Sequence, residues 1–363
     1  MRVMLVSGSY PPMRCGVGDY TARLASALAE LAGTEVAVLT DRRAHVSRCH
    51  GQLTILPEVA TWNLRGWREA LAAVRAWKPD VVHIQFPTQG YGSGWLPWLL
   101  PLLLKLQGVP IVQTWHEFMP MKSSRDWALI AGRDRVIVVR PNYREMMPIV
   151  YRWFVGSRRI RVIPNASSIP QVDLREPARR AVRSRFVADS KRLVAYFGFA
   201  YPHKGVEQLF DILDPQKHHL VLMCDLHADD PYHQQLLALS ASAAWAGSVT
   251  LTGFLPEEEA GMILASADAV VLPFRHGGGI WNSSLHGAAI QGTFVLTTST
   301  DRYGYVEAEN VYYARPDDIP DMRRAVLDHA SRRRRADHNY RFATWAKIAE
   351  EHMRVYRDLE IRR

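Results

Sequence analysis

Short apolar runs recur along this 363-residue chain, each followed by a turn and a stretch of helical period, and this alternation constrains the fold most. In the first half the runs are Val3–Ser7, Glu35–Thr40, Val81–Ile84, Val109–Thr114, Arg135–Val139 and Arg161–Ile163. In the second they are Leu193–Tyr196, His219–Met223, Val249–Leu251, Ala269–Pro273, Thr293–Thr298 and Asn310–Ala314. Brief continuous runs of Val, Ile and Leu suit strands buried on both faces, as in parallel sheets, where helices make the crossovers. Helical patterns fall between them: Leu24, Leu28 and Leu31 on one face, Trp67–Trp77 ended by Pro79-Asp80, then Val206–Leu213, Pro256–Ser266, Asp321–Ala330 and a final helix over Tyr340–Leu359. The alternation lapses over Pro164–Ser190, which is charged and aperiodic. The length is too great for one ordinary core. The pattern predicts an α/β fold of two Rossmann-like domains facing each other across a central cleft. The expected divisions are 1–170, a linker over 171–190, a second domain over 191–338, and a C-terminal helix within 339–363 that crosses back to the first domain.

Charge narrows the partners. The chain carries a net +9, which favours an anionic ligand: a nucleotide, a lipid head group or nucleic acid. The arginines are dispersed apart from Arg332–Arg335, which reads as a solvated helix face, and no aromatic-interleaved basic motif exists, so no nucleic-acid partner is expected. Cys15, Cys49 and Cys224 form no CxxC or Cys/His cluster; neither a disulfide framework nor a metal site is expected, and a reducing cytoplasm is the simple inference. Trp95–Leu106 (WLPWLLPLLLKL) falls short of the roughly 20 residues that span a bilayer. It reads as a buried helix of the first domain or, alternatively, as a surface helix docking Trp95 and Trp98 on anionic lipid at the inner face of the cell membrane.

Four places hold candidate chemistry, since ligands of open α/β sheets bind beyond the carboxyl ends of the strands. After the first strand, Gly16-Val17-Gly18-Asp19 would let backbone approach a ligand, although the sequence is not GxGxxG and a plain βα turn reads equally well. His116 directly follows the run Val109–Thr114; a structural histidine is the alternative there. Phe197-Gly198 opens a turn that ends at His203-Lys204-Gly205. Last, Ala269–Pro273, Gly277–Gly279, a helix capped by Asn282, Ser283 or Ser284 and ended by Gly292, and Thr293–Thr298 form a strand–loop–helix–strand unit. A loop feeding a helix N-terminus can hold phosphate, though by spacing alone this is also an ordinary βαβ unit.

Together these pieces resemble the GT-B retaining glycosyltransferases of the family 4 type over nearly the whole chain. The resemblance rests on the order and spacing of Ser9-Tyr10-Pro11-Pro12 with Gly16-Val17-Gly18-Asp19-Tyr20, Pro79-Asp80-Val81-Val82-His83, Thr114-Trp115-His116-Glu117-Phe118, and Val162-Ile163-Pro164-Asn165. It continues through Phe197-Gly198 with His203-Lys204-Gly205-Val206, Thr252-Gly253-Phe254-Leu255, Ala267-Asp268, Leu272-Pro273-Phe274-Arg275, Gly292-Thr293-Phe294-Val295 and Glu309-Asn310-Val311. It implies transfer of a sugar from a nucleotide diphosphate sugar to an acceptor hydroxyl, without a metal or other cofactor. The first domain would serve the acceptor and the second the nucleotide sugar. Lys204 would be the cation for the departing phosphate, the Gly16–Gly18 backbone would approach it, and His116 would lie near the donor sugar.

Three departures from the family pattern stand out. Its Glu-x7-Glu pair, whose members touch the donor sugar and the ribose, falls at Gly279 and Gly287. The loop instead resembles a sub-group reading Pro273-Phe274-Arg275-His276-Gly277 followed by Asn282-Ser283-Ser284, so Arg275, Asn282, Ser283 and Ser284, with the backbone around Gly279 and Gly198, are the expected donor contacts. Phe199 replaces an arginine that often precedes the lysine, and Phe294 a common proline. The resemblance implies an acceptor that is a glycan or lipid-linked sugar in cell-surface, exopolysaccharide or glycolipid synthesis. The alternatives are a small soluble acceptor, or a catalytically silent GT-B protein that binds a nucleotide or a partner enzyme.

Overall fold

The computed structural model describes residues 1–44, 49–118, 124–156, 159–187, 190–279, 281–334 and 344–360. It divides the chain into two units, Met1–Asn165 with Ala343–Arg363, and Ala166–Phe342.

The first unit begins with β1 (Arg2–Val6), α1 (Gly16–Ala29), β2 (Glu35–Asp41), β3 (Cys49–His50), β4 (Leu53–Val59), α2 (Trp67–Trp77), β5 (Val81–Phe86) and α3 (Leu96–Lys105). It continues with β6 (Ile111–Trp115), α4 (Ser124–Ala131), β7 (Arg135–Val138), α5 (Tyr143–Met146), α6 (Ile149–Val155) and β8 (Ile160–Val162). The strands are ordered β3-β4-β2-β1-β5-β6-β7-β8, parallel throughout except for β3. Every residue of β5 and β6 is buried, as strands covered by helices on both faces require. Strand order reverses between β1 and β5, so the carboxyl ends near Val6 and Phe86 form the crevice where such sheets take ligands. The Leu-rich helix α3 buries Leu96, Leu100 and Leu104 at four-residue spacing, and Arg125 of α4 lies over the Trp95 ring at 4.2 Å. Of the stretch Trp95–Leu106, one helix face is buried, while Trp95 and Leu106 at its ends are exposed. No described helix is long and apolar enough to cross a membrane.

The second unit contains α7 (Glu176–Ser184), β9 (Arg192–Phe197), α8 (Leu209–Ile212), β10 (His218–Met223), α9 (Pro231–Ser240), β11 (Val249–Leu251) and α10 (Glu257–Ser266). It then forms β12 (Ala269–Leu272), α11 (Ser283–Ala289), β13 (Val295–Thr298), β14 (Gly304–Val306), β15 (Val311–Ala314) and α12 (Ile319–His329). The sheet order is β11-β10-β9-β12-β13-β15-β14, with only β14 antiparallel, and the order reverses between β9 and β12. Helix α7 lies inside the span 171–190 expected as a linker; its amphipathic charge pattern hides its helical period, because few of its residues are apolar. The expected helix Val206–Leu213 is a 3-10 turn, Val206–Gln208, followed by the short α8.

The chain ends in α13 (Trp345–Glu360), which belongs to the first unit and packs on α1. Ile348, Ala349, His352, Met353 and Tyr356 are buried, repeating every three or four residues on one face. Burying each of the larger apolar side chains stabilises by about 1.5–3 kcal/mol.

Candidate functional site

In the first unit the reversal point is built around His116. Its backbone N–H donates to Phe86 O (2.8 Å), which fixes it just past β6 and beside the end of β5. Its Nε2 donates to Gln85 Oε1 (2.8 Å), and the Tyr20 ring meets it edge-on with centroids 4.6 Å apart. The Gln85 amide N–H in turn donates to His83 Nε2 (3.2 Å), and His83 Nδ1 lies 2.6 Å from the Tyr356 hydroxyl of α13. Thr114 Oγ1 is 2.7 Å from the same His83 Nε2, and Tyr20 Oη is 3.3 Å from His352 Nε2. With the amide so oriented, His116 keeps its proton on Nε2 and turns an acceptor Nδ1 lone pair elsewhere. Burial, reinforced by the neighbouring His352, holds His116 down to about 3, and burial holds His352 down to about 4. His83 is lowered for the same reasons, burial first, then His352 and His116. These rings are therefore neutral at physiological pH.

The residues Gly16, Val17, Gly18 and Asp19 are the first turn of α1 and not the turn before it. Gly18 packs beneath Ser9, where a methyl group would lie 3.2 Å from the Ser9 backbone, so the absent side chain permits close helix–loop packing. The Cys15 side chain makes no capping bond to the first turn of α1. Asp19 is raised to about 6, chiefly by burial, with Arg23 opposing the shift.

Beyond the ends of β2, β4 and β5 the same unit holds a cavity of about 570 Å³. Asp41, Arg43, Trp62, Asn63, Tyr91 and Trp95 are among its lining. Arg43 is forked onto Asp41 (2.8 and 3.0 Å), and the Trp62 indole N–H, buried, has no hydrogen-bond partner among the described residues. Flat aromatic faces beside fixed polar groups suit a sugar-like ligand.

In the second unit the reversal point between β9 and β12 gathers Gly198, Lys204, Arg275 and Ser284. Gly198 has φ +137°, and a methyl group on it would lie 2.8 Å from Ser284 Oγ, so the end of β9 and the start of α11 are in contact. Lys204 ends a 3-10 turn, Pro202–Lys204, and its Nζ stands 4.6 Å above the Phe274 ring. The next residue, Gly205 (φ +65°), presses on the Pro273 carbonyl, and Arg275 N donates to His203 O (3.1 Å); both fix the lysine turn against the end of β12.

Two expected donor contacts have other work in this structure. Arg275 is paired with Glu207 and with Asp317 (2.9 Å). With two carboxylates already on it, it acts as a tie between loops and offers an added phosphate little net charge. Asn282 stands at the N-cap of α11, but its Oδ1 accepts from the Gly279 N–H (2.9 Å) and makes no capping bond. Ser283 and Ser284 form the first turn of α11, a helix of seven residues.

At the two positions where the family writes glutamate, the space is filled. A methyl group on Gly279 would collide with the Trp281 ring, and one on Gly287 would meet Ile169 Cγ1 at 3.3 Å and Ser167 Oγ at 3.4 Å. Among the described residues no cluster of His, Cys, Asp and Glu could hold a metal ion.

Sequence reasoning missed Gln85, and did not connect His83 of the Pro79–His83 motif or His352 and Tyr356 of the final helix with His116. The signal was present: His83 and Gln85 are polar residues two apart, hence on one face, in an otherwise apolar strand, and His352 and Tyr356 are four apart on one helix face.

Residues 15–167 match the model of Glycosyltransferase Family 4. No curated protein sequence matches the chain. Solved structures match it almost end to end. Sucrose-phosphate synthase from Thermosynechococcus elongatus is 18% identical with a TM-score of 0.79, over 100% of both chains. Anabaena HepE in complex with UDP is 14% identical with a TM-score of 0.65, over 99% of this chain and 98% of that one. The catalytic domain of starch synthase IV from Arabidopsis thaliana, bound to ADP and acarbose, is 13% identical with a TM-score of 0.69, over 99% of each. At such identities the likeness is one of fold. The fold is GT-B, and the chain resembles the GT-B glycosyltransferases of family 4, as its motifs indicate.

Proposed function

We propose that this protein is a retaining glycosyltransferase that moves a sugar from a nucleotide diphosphate sugar to an acceptor hydroxyl without a metal ion. The acceptor is a glycan or a lipid-linked sugar, and the work is cell-surface glycan, exopolysaccharide or glycolipid synthesis on the cytoplasmic side of the membrane. The observation that carries this reading is the contact of Gly198 with Ser284, beside Lys204 held over Phe274 at the end of β12, on a fold whose solved examples include complexes with UDP and with ADP.

The chemistry follows from these groups. As the bond between the anomeric carbon and the phosphate oxygen breaks, charge grows on the departing diphosphate, and Lys204 with the Ser283 and Ser284 N–H groups stabilises it. The acceptor oxygen bonds to the same carbon and its proton passes to a departing phosphate oxygen. No protein nucleophile is needed. His116, neutral and pinned through Nε2, receives a donor-sugar hydroxyl at Nδ1. The cavity beside Trp62 and Trp95 takes the acceptor. The first unit thus serves the acceptor and the second the nucleotide.

The filled positions at Gly279 and Gly287 favour a second reading, a protein that binds the nucleotide without turnover. A thermal-shift screen against UDP, GDP, dTDP, ADP and CMP, followed by a transfer assay with the responding nucleotide's sugars, decides between them. A ligand at 100 times its Kd adds about 2.7 kcal/mol to stability. A responder with turnover supports the transferase; a responder without turnover from any of its sugar nucleotides supports the silent binder; silence across the panel counts against both.

A further inference from the structure

The short helix α6 turns Tyr151 and Val155 inward and shows solvent an apolar face. Ile149 is 79% exposed, Val150 52%, Trp153 80% and Phe154 47%. Their spacing, i, i+1, i+4 and i+5, is one side of a helix. Neighbouring elements extend the face. Trp127 of α4 meets Phe154 at 4.9 Å between centroids, Phe154 meets Trp153 at 5.1 Å, and Met146 of α5 is also exposed. Scattered exposed apolar side chains are ordinary, but a contiguous group of this kind marks an interaction surface. Its surroundings are cationic: residues 140–161 contain six arginines against the single acidic residue Glu145, and Arg159 and Arg161 are exposed.

We propose that this α5–α6 face docks the protein on an anionic lipid bilayer, with Trp153, Phe154 and Ile149 entering the interfacial layer and the flanking arginines contacting head groups. Tryptophan and other bulky apolar groups beside arginine are the composition of interfacial helices, which lie in the plane of the membrane surface. Asp126 of α4 acts on Tyr151 and Glu117 on Arg140, yet arginines outnumber acids around the face, and such a cationic excess suits an anionic lipid surface. The contact expected at Trp95 and Trp98 moves accordingly: Leu96, Leu100 and Leu104 of α3 are buried and Trp95, 38% exposed, lies under Arg125, whereas Trp153 and Phe154 of α6 are the more exposed aromatic pair. The inference does not rest on the transferase reading.

The test is flotation of the intact protein with vesicles of phosphatidylcholine alone or mixed with phosphatidylglycerol, over a range of salt. Binding is expected to the anionic vesicles, weakening as salt rises. Trp153→Ser with Phe154→Ser should cut it about tenfold or more, because most of the inserted apolar area is lost. Trp67→Ser, which removes an exposed tryptophan of α2, should leave it unchanged, and Arg159→Gln with Arg161→Gln should flatten the salt dependence. Circular dichroism and thermal melting identify any variant that fails to fold, in which case Ile149→Ser replaces it. Absence of binding to anionic vesicles, equal binding to neutral ones, or undiminished binding by the double aromatic variant overturns the proposal. So does self-association that the aromatic substitutions abolish while vesicles are ignored, since it assigns the face to a second copy of the chain. Transferase assays are scored separately, so vesicle binding without turnover leaves this inference standing.

Discussion

Gln85 Oε1 accepts the Nε2 proton of His116 at 2.8 Å across the ends of two adjacent strands, and the same amide reaches back to His83. His83 continues the path to the Tyr356 hydroxyl, so the C-terminal helix bears on the orientation of the His116 ring. Gln85 is a positioning residue. Gln85→Leu is expected to lower kcat by about 10- to 100-fold while KM for the acceptor changes little, in the range of lost positioning effects. Gln85→Glu keeps the oxygen that receives the histidine proton and should recover much of the rate. Its carboxylate favours the charged imidazole, so the acid limb of the pH–rate profile should move to higher pH. Equal loss in both variants with an unmoved profile would reduce Gln85 to a packing role.

Lys204 and Arg275 should separate in the opposite sense from what their charges alone suggest. Lys204→Ala removes the cation at the reversal point and is expected to cost about 100- to 1,000-fold in kcat. Arg275→Ala frees Glu207 and Asp317 from their shared partner, loosening the loops that carry Lys204. The Arg275 side chain is 41% exposed, so the stability loss should be no more than about 1 kcal/mol. Isothermal titration with the responding nucleotide and thermal melts on both variants check this. A large affinity loss in Arg275→Ala with an unchanged melting temperature would restore it as a direct phosphate contact.

The strands and the two-unit plan were legible because parallel strands covered on both faces write themselves as apolar runs, as β1, β5, β12 and β13 do. Helix α2 was readable to its ends, since Trp67–Trp77 has a strong apolar stripe and a clear stop. Helix α7 was not, because a helix with few apolar residues looks like linker. The site was partly legible. His116 and Gly198 directly follow β6 and β9, and Lys204 ends the 3-10 turn beyond β9. The roles of Arg275 and Asn282 depended on partners distant in sequence or on the exact turn of a loop, and spacing does not encode those. Nor could it report that Trp281 and Ile169 occupy the places of the missing glutamates.

That occupation makes a prediction of its own. If the pair had simply been lost, writing it back would be harmless. Gly287 is buried on α11, and Ile169 lies 3.3 Å from where a methyl group on it would stand. Gly287→Ala should therefore cost about 1 kcal/mol and Gly287→Glu several kcal/mol, because a carboxylate would be buried against Ile169 and a Ser167 hydroxyl already bonded to the Ile169 backbone. Gly279→Glu should displace the Trp281 ring, a single side chain that can swing, and cost less than Gly287→Glu. Denaturant melts rank the three variants. A fully stable Gly287→Glu protein would mean the pocket tolerates the family's carboxylate.

The buried histidines make the first unit acid-sensitive. His83 and His352 are both inaccessible and both depressed, His352 to about 4, by burial first. Their unfolded value is about 6.5. Between these limits the unfolded chain binds more protons than the folded one, so stability is complete above about pH 6.5 and falls as the pH drops toward 4. Each histidine contributes up to about 1.4 kcal/mol per pH unit across that window. Asp19 works against them. Burial raises it to about 6, so the folded protein takes up a proton there first, and stability gains as the pH falls from about 6 toward the usual carboxylate range. Around His352 the other groups are the Tyr20 hydroxyl, the Ile348 carbonyl, His83, His116 and Tyr356, none of which supplies a negative charge to hold an imidazolium. His352→Gln should therefore flatten the decline in melting temperature between pH 6.5 and 4, and Asp19→Asn should steepen it. Melting curves at half-unit intervals of pH read both slopes. A His352→Gln profile parallel to that of the unaltered protein would mean that the ring finds a compensating partner when it is protonated.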